Sequence, residues 1–494
     1  MKNVLLFLFI VLLSYQSNAQ ERLPDDLLSS DFHKERREAF RAKMPSNSVA
    51  IFFANPVRNR ANDVDYVYHQ DPDFYYLTGL KEPHSALVIY SEEQQNEAGE
   101  SFDEIIYMQS RSPFMEQWTG RRLGAEGARD ILGFDQATLT SDFMNTNLRL
   151  DKYDVVLHKP IVDDIRDQRY NKADLYALIN KFKKDIGLGN PQTPTVENKV
   201  SKEIKIEQAL PQPVVKTDDK KLGRYMAELR QIKLKEELKL LKKAIRISSQ
   251  GQIEVMKAMH PAMSETEVQG IHEYVYKRYG SEYEGYPSIV GAGNNGCILH
   301  YTENNKMTVQ NELVLMDLGA EYHGYTADVT RTIPANGKFT AEQKAIYDLV
   351  LKAQDAGINA ARIGNGFRAT DRAARQVIVK GLIDLGIAKT ADEANQYFPH
   401  GTSHYLGLDV HDPGTYGTYQ ASMAITVEPG IYIPEGSECD EKWHGIAVRI
   451  EDDILITENG PVNLSADAPR TTASIEQMMK QKSALDDFKL PKLD

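Results

Sequence analysis

The chain has 494 residues, 41% of them hydrophobic and 9% aromatic, too many for one ordinary core and enough to fill two. A formal net charge of −13 excludes a general nucleic-acid binder, because no basic excess exists to neutralise phosphates. Two cysteines, Cys297 and Cys439, supply neither a disulfide framework nor a thiolate zinc site, so any metal must be held by oxygen and nitrogen.

Residues 1–19 read as a cleavable secretory signal, with Lys2 as the positive start and an apolar run over 4–13. Ser17, Asn18 and Ala19 then form a small-x-small cleavage site, and the apolar run is short for a membrane span. An uncleaved anchor is the alternative; otherwise the mature protein is expected to be exported, periplasmic or released. Residues 31–43 are charged and helix-prone, "SVAIFFANP" reads as a buried strand ended by Pro56, and "DFYYLTGL" and "SALVIYS" continue a strand-rich α/β region. Helical runs are expected again only near 160–185, and the Pro-, Asn- and Asp-rich stretch 186–219 reads as the loop-rich approach to a domain boundary.

From Arg230 to Met259 the apolar spacing predicts one helix with charged outer faces. A second starts at Ser264, which with Glu267 fits a capping box, and others are expected over 340–362 and 368–385. Strands follow in "ELVLMDLGAEY", "TADVTRTI", "MAITVEPGIYI" and "IAVRIEDDILIT", giving a mixed α+β second half.

Acidic residues recur where strands should be apolar. Asp317 lies in "LVLMDLGA" and Asp328 in "YTADVTRT"; a hairpin turning near 322–324 with a two-residue loop sets both side chains on one face. Alone, the pair is equally satisfied by a salt bridge to Arg331 and a turn cap. Glu428 in "ITVEPGIYI" and Glu451 in "AVRIEDDILI" change the balance, since Arg331 and Arg449 cannot answer four buried carboxylates that repel one another. Divalent cations remove both problems, and four carboxylates with an imidazole suit a two-metal hydrolase using manganese or a similar ion. "HGTSHYLGLDVHD" offers His400, His404 and His411 as that imidazole, and its glycines and β-rich centre argue against two ligands on one helical turn. No G-x-S-x-G elbow, H-E-x-x-H helix or P-loop competes.

The blocks "SIVGAGNNGCILHYTEN", "MDLGAEYHGYTADVTRT", "HGTSHYLGLDVHD", "VEPGIYI" and "VRIEDDI" resemble, in order and spacing, the Xaa-Pro aminopeptidases (aminopeptidase P) among the pita-bread metallopeptidases. "DFYYLTGLKEP" and "QWTGRRLG" are similar to the creatinase-like N-terminal domain of that family, so the likeness runs from about residue 31 to 463. It implies an α+β protein with a signal over 1–19, an N-terminal creatinase-like α/β domain over 20–215, a pita-bread catalytic domain over 216–465 and a tail over 466–494.

The resemblance also implies five metal ligands, Asp317, Asp328, His404, Glu428 and Glu451, holding two divalent ions, Mn²⁺ foremost with Co²⁺ or Zn²⁺ as substitutes. Asp328 and Glu451 bridge both ions, and Glu428 accepts the proton of a bridging hydroxide. His300 and His411 fall at catalytic positions beside the substrate. His400, Tyr432 and Arg449 fall at substrate-binding positions around the prolyl ring. The implied reaction removes the first residue from peptides with proline second. A proline dipeptidase is the alternative, and a non-catalytic pita-bread binding protein a more distant one. Trp118 matches a position that reaches a neighbouring subunit, and a homo-oligomer, dimer or tetramer, is expected; no nucleic acid or lasting membrane span is.

Overall fold

The computed structural model describes residues 24–96, 98–168, 170–188, 215–487 and 490. The expected signal over 1–19 and most of the loop-rich stretch therefore lie outside the described residues. No helix among the described residues is long and apolar enough to cross a membrane.

The N-terminal half is a six-stranded sheet. Its strands are β1 (Ser48–Phe53), β2 (Ala86–Gln95), β3 (Ser101–Met108), β4 (Ala137–Leu139), β5 (Val155–His158) and β6 (Thr217–Asp218), in the order β4-β3-β2-β1-β5-β6. β1 pairs antiparallel with β2 and parallel with β5. Strand alternation sends Val49 and Ile51 to one face, against Leu178 and Phe182. Ala50 and Phe52 go to the other face, where α1 (Ser30–Arg41) lays Phe40 against Phe52.

"DFYYLTGL" is a helix rather than the expected strand. α2 (Pro72–Thr78) starts at the Asp71 carboxylate, which accepts the Phe74 N–H, has proline in its first turn, and ends on left-handed Gly79 at φ +70°. Those end signals override the β-preference of its aromatic run. Short helices at Pro113–Thr119, Gly124–Asp130 and Thr140–Asn145 also precede the one expected near 160–185, which forms at Leu175–Asp185.

The helix expected from Arg230 to Met259 forms as α4 (Lys235–Ala258), and a separate helix that was not foreseen, α3 (Lys221–Arg230), precedes it. α3 belongs to the join between halves: its Leu222 and Met226 share one continuous core with Phe40 and Phe52 on one side and α4 on the other. α5 (Glu265–Arg278) begins where Ser264 accepts the Glu267 N–H.

The C-terminal half wraps helices around small antiparallel sheets. β7 (Ile289–Ala292), β8 (Leu313–Leu318) and β11 (Val329–Pro334) form one; β9 (Ala320–Tyr322) and β10 (Tyr325–Thr326) make the hairpin between β8 and β11. α6 (Ala341–Ala360) and α7 (Ala369–Asp384) follow at the expected places. β12 (Ala424–Val427), β13 (Gly430–Ile433), β14 (Ile446–Arg449), β15 (Asp452–Thr457) and β16 (Gly460–Asn463) complete the ladders. Among the described residues beyond Asn463, α8 (Thr472–Met478) buries Ile475, and the Ala468 and Pro469 carbonyls accept from Arg331.

Candidate metal centre

The hairpin places the first two carboxylates. Its turn is His323 and Gly324, both left-handed at φ 51° and 90°, with Tyr322 opposite Tyr325. The register carries back to Asp317 opposite Thr330, so Asp317, Thr330 and Asp328 share one face. Gly319 makes this closeness feasible, because a Cβ there would lie 1.7 Å from the Ala327 carbonyl oxygen.

The two glutamates arrive by a second ladder, at its joints rather than within strands as expected. Val427 pairs with Asp452 and Gly430 with Arg449, so one register runs through the break and sets Glu428 opposite Glu451. The ladders meet where Glu451 N–H donates to the Thr330 carbonyl at 3.1 Å.

"HGTSHYLGLDVHD" is extended and bridged, not helical: Tyr405 pairs with Ile425 and with Asp412. The Thr426 N–H donates to the His404 carbonyl, and the Glu428 N–H to that of Thr402, which delivers His404 beside Glu428. His404 Nδ1 faces the Tyr405 carbonyl at 3.0 Å and so carries the proton. The lone pair on Nε2 therefore points at Asp328, 3.5 Å away, Glu428 at 3.7 Å and Glu451 at 4.0 Å.

Asp328, His404 and Glu451 offer ligand atoms within 4.8 Å of one another, and Asp317 and Glu428 flank them. Tyr286 was not foreseen; its hydroxyl lies 2.7 Å from Asp317 Oδ1 and 2.6 Å from Asp328 Oδ1. The arginines pair otherwise than expected. Arg331 serves Asp452, and Arg449 serves Asp317.

Without a counter-charge these acids resist ionisation. Burial and Glu451 push Glu428 up to about 8, while burial and the neighbouring carboxylates push Asp328 and Glu451 well above the usual range. Burial acts on Asp317 too, but Arg449 and the Tyr286 hydroxyl together outweigh it and hold that carboxyl low. Glu451 Oε1 is buried with no hydrogen-bond partner. A cluster of oxygen donors, an oriented imidazole and an orphaned carboxylate oxygen fits divalent cations.

The remaining expected residues surround this cluster. His400 Nδ1 faces the Gly401 carbonyl at 2.7 Å, its Nε2 lies 2.8 Å from the Tyr432 hydroxyl, and Arg449 Nη1 donates to that hydroxyl at 2.8 Å. Burial, reinforced by Arg449, lowers His400 to about 4, so the ring is neutral and accepts from Tyr432. His411 stacks edge-on against His404, ring centres 4.3 Å apart, and burial, with the imidazoles of His404 and His300 nearby, lowers it to about 4. His300 and His411 are exposed, and His300 lies near enough to act on the His411 ring. Trp118 is 76% exposed on the N-terminal domain.

A carboxylate–imidazole cluster where two antiparallel ladders meet, behind a separate α/β domain, defines a two-domain metallopeptidase. The model of metallopeptidase family M24 matches residues 239–458, and that of the aminopeptidase P N-terminal domain residues 33–154. The chain belongs to the aminopeptidase P family, with a pita-bread catalytic domain. It is 36% identical to the Xaa-Pro aminopeptidase of Escherichia coli over 467 residues, 92% of this chain and 98% of that one. The structure of E. coli aminopeptidase P with the inhibitor Pro-Leu superposes with a TM-score of 0.77 at 35% identity, covering 92% and 98% of the two chains. A zinc-substituted E. coli form in complex with product gives 0.76 at 34% identity, with the same coverage.

Proposed function

We propose that this protein is an exported, two-metal aminopeptidase that releases the first residue from peptides with proline second. The observation that carries the reading is the buried cluster of Asp328, His404 and Glu451, with Asp317 and Glu428 beside it and Glu451 Oε1 left unbonded. These five residues would hold two divalent ions, with manganese the best match to an oxygen-rich set. When bound, the ions supply a water acidic enough to attack near neutral pH and a Lewis acid for the scissile carbonyl.

The protein groups do the rest. Glu428 lies 3.7 Å from His404 and accepts the proton of the attacking water. His300 and His411, exposed beside the cluster, hold the substrate and the oxyanion that develops on its carbonyl. His400, Tyr432 and Arg449 form a hydrogen-bonded wall against which the prolyl ring packs. An X-Pro bond has no N–H to recognise and a fixed φ, so a site that acts through the carbonyl and the ring suits it.

The decisive measurement is cleavage of tripeptides varied at position two, with and without added manganese. Failure to cut Xaa-Pro-Xaa with metal bound would overturn the reading, and cutting only Xaa-Pro dipeptides would make the protein a proline dipeptidase. His404→Ala is expected to lose most bound metal and His400→Ala to keep it; equal loss would refute the division of roles. Export follows from residues 1–19 and is checked by N-terminal sequencing of the mature protein, which should begin at or near Gln20.

A further inference from the structure

Three acids and three bases form a chain from the N-terminal domain to the histidine loop, half-exposed at its Lys159 and Asp71 end and buried from Asp73 onward. Lys159, just after β5, sits 2.8 Å from Asp71 and 2.6 Å from Asp73. Asp73, in α2, accepts from Arg230 Nη1 at 2.6 Å. Arg230 ends α3, and its Nη2 donates to Asp412 Oδ1. Lys233, in the break before α4, donates to Asp412 Oδ2 at 2.7 Å. Signs alternate and the six formal charges cancel. Arg230 is 3% exposed, Lys233 2% and Asp412 1%.

The far end of the chain holds a loop. Asp412 Oδ1 accepts the Asp409 N–H at 3.2 Å, and Asp409 Oδ1 accepts the His411 N–H at 3.2 Å. Asp412 N–H donates to the Tyr405 carbonyl at 3.0 Å, closing the loop beside His404. Gly407 leaves room for this: a Cβ there would lie 2.6 Å from Asp412 Oδ2 and 2.8 Å from Lys233 Nζ. His411, an exposed residue, is thus tied at its backbone while its ring packs against His404.

We propose that Asp412 is a positioning residue for His411, and that the N-terminal domain fixes it through Arg230 and Asp73. Buried ion pairs are poor sources of net stability, because desolvation consumes most of the Coulomb gain. What they impose well is geometry, since each partner accepts few arrangements. A chain of them reaching from a separate domain to the loop behind an exposed active-site imidazole holds that imidazole at a set depth. The N-terminal domain thereby acts on the reaction without touching substrate through this route.

The inference rests on the reading that His411 contacts substrate, and one set of variants separates the two. Asp412→Asn, His411→Ala and the double variant are compared as metal-loaded enzymes on an Xaa-Pro-Xaa tripeptide, with kcat, KM, bound metal and Tm recorded. Asp412→Asn is expected to lower kcat about tenfold or more, with bound metal unchanged and KM within about twofold, and the double variant to be no slower than His411→Ala. Full additivity of the two losses, or loss of metal in Asp412→Asn, would assign Asp412 to scaffolding and overturn the inference. A His411→Ala enzyme as active as the parent would instead remove the reading beneath it. Should Asp412→Asn not fold, Asp73→Asn carries the same cycle with His411→Ala. It leaves Arg230 on Asp412 and Lys159 on Asp71, and additive losses there overturn the proposal equally.

Discussion

Glu451 owes its orientation to Thr330, whose hydroxyl donates to Oε2 at 2.6 Å while Oε1 stays unbonded in the cluster. Thr330→Val keeps the shape and deletes that donor, so Glu451 gains freedom to turn away. Groups that orient metal ligands typically govern affinity by 10–100-fold, and about a tenfold weaker metal dissociation constant is expected in chelator competition. An unchanged constant would show that the ladder alone sets Glu451. The same scale separates what the sequence discloses from what it hides. Carboxylates in apolar runs stand out because burying them unpaired is costly, which made Asp317, Asp328, Glu428 and Glu451 visible. Tyr286 and Thr330 carry hydroxyls that are ordinary beside or within strands, and only the fold aims them at ligands. The arginine partners were equally hidden: Arg331 and Arg449 each lie near several acids in sequence, and register chooses among them.

The pair of strands β8 and β11 works as one element only because Gly319 lets them close. A methyl group at that position would strike the Ala327 carbonyl, so Gly319→Ala must push apart the chain segments that bear Asp317 and Asp328. Overpacking of this kind costs about 1–3 kcal/mol, and the displaced carboxylates should lose metal as well. Thermal unfolding and metal analysis of the variant test both; a normal Tm with full metal content would contradict the tight closure. The two-residue turn and the shared face of the aspartates were legible because strand alternation has a fixed period of two. Elements decided by their ends were less so. In "DFYYLTGL" the aromatic run favours a strand, and Asp71, Pro72 and Gly79 decide for a helix. The break between α3 and α4 falls within a continuous helical pattern, where Lys233 turns inward to Asp412 instead of outward to water.

At the scale of the molecule, the turn of the catalytic hairpin also anchors the start of the described chain. His323 is buried between two carboxylates: Nδ1 lies 2.5 Å from Glu282 and Nε2 2.9 Å from Asp26, in the segment before α1. Asp26 also accepts from the Tyr322 hydroxyl at 2.7 Å, and Lys81 of the N-terminal domain approaches Glu282 at 3.5 Å. Burial opposes the charge on His323, but Glu282 and Asp26 outweigh it and raise the imidazole above its ordinary 6.5. Burial likewise opposes ionisation of Glu282, yet His323 and Lys81 hold it at about 2. The signs follow by linkage. The raised histidine contributes stability that is complete below 6.5 and is lost as pH climbs through its folded value. The depressed glutamate contributes stability present above its ordinary 4.5 and lost as pH falls toward about 2. This anchor is therefore strongest between 4.5 and 6.5. His323→Asn, which tolerates the left-handed backbone, removes the titrating ring but keeps the turn. As pH rises above 6.5 the parent should lose more Tm than the variant. Equal slopes would mean that His323 does not carry a proton between its two carboxylates, and that the N-terminal segment is held by other contacts.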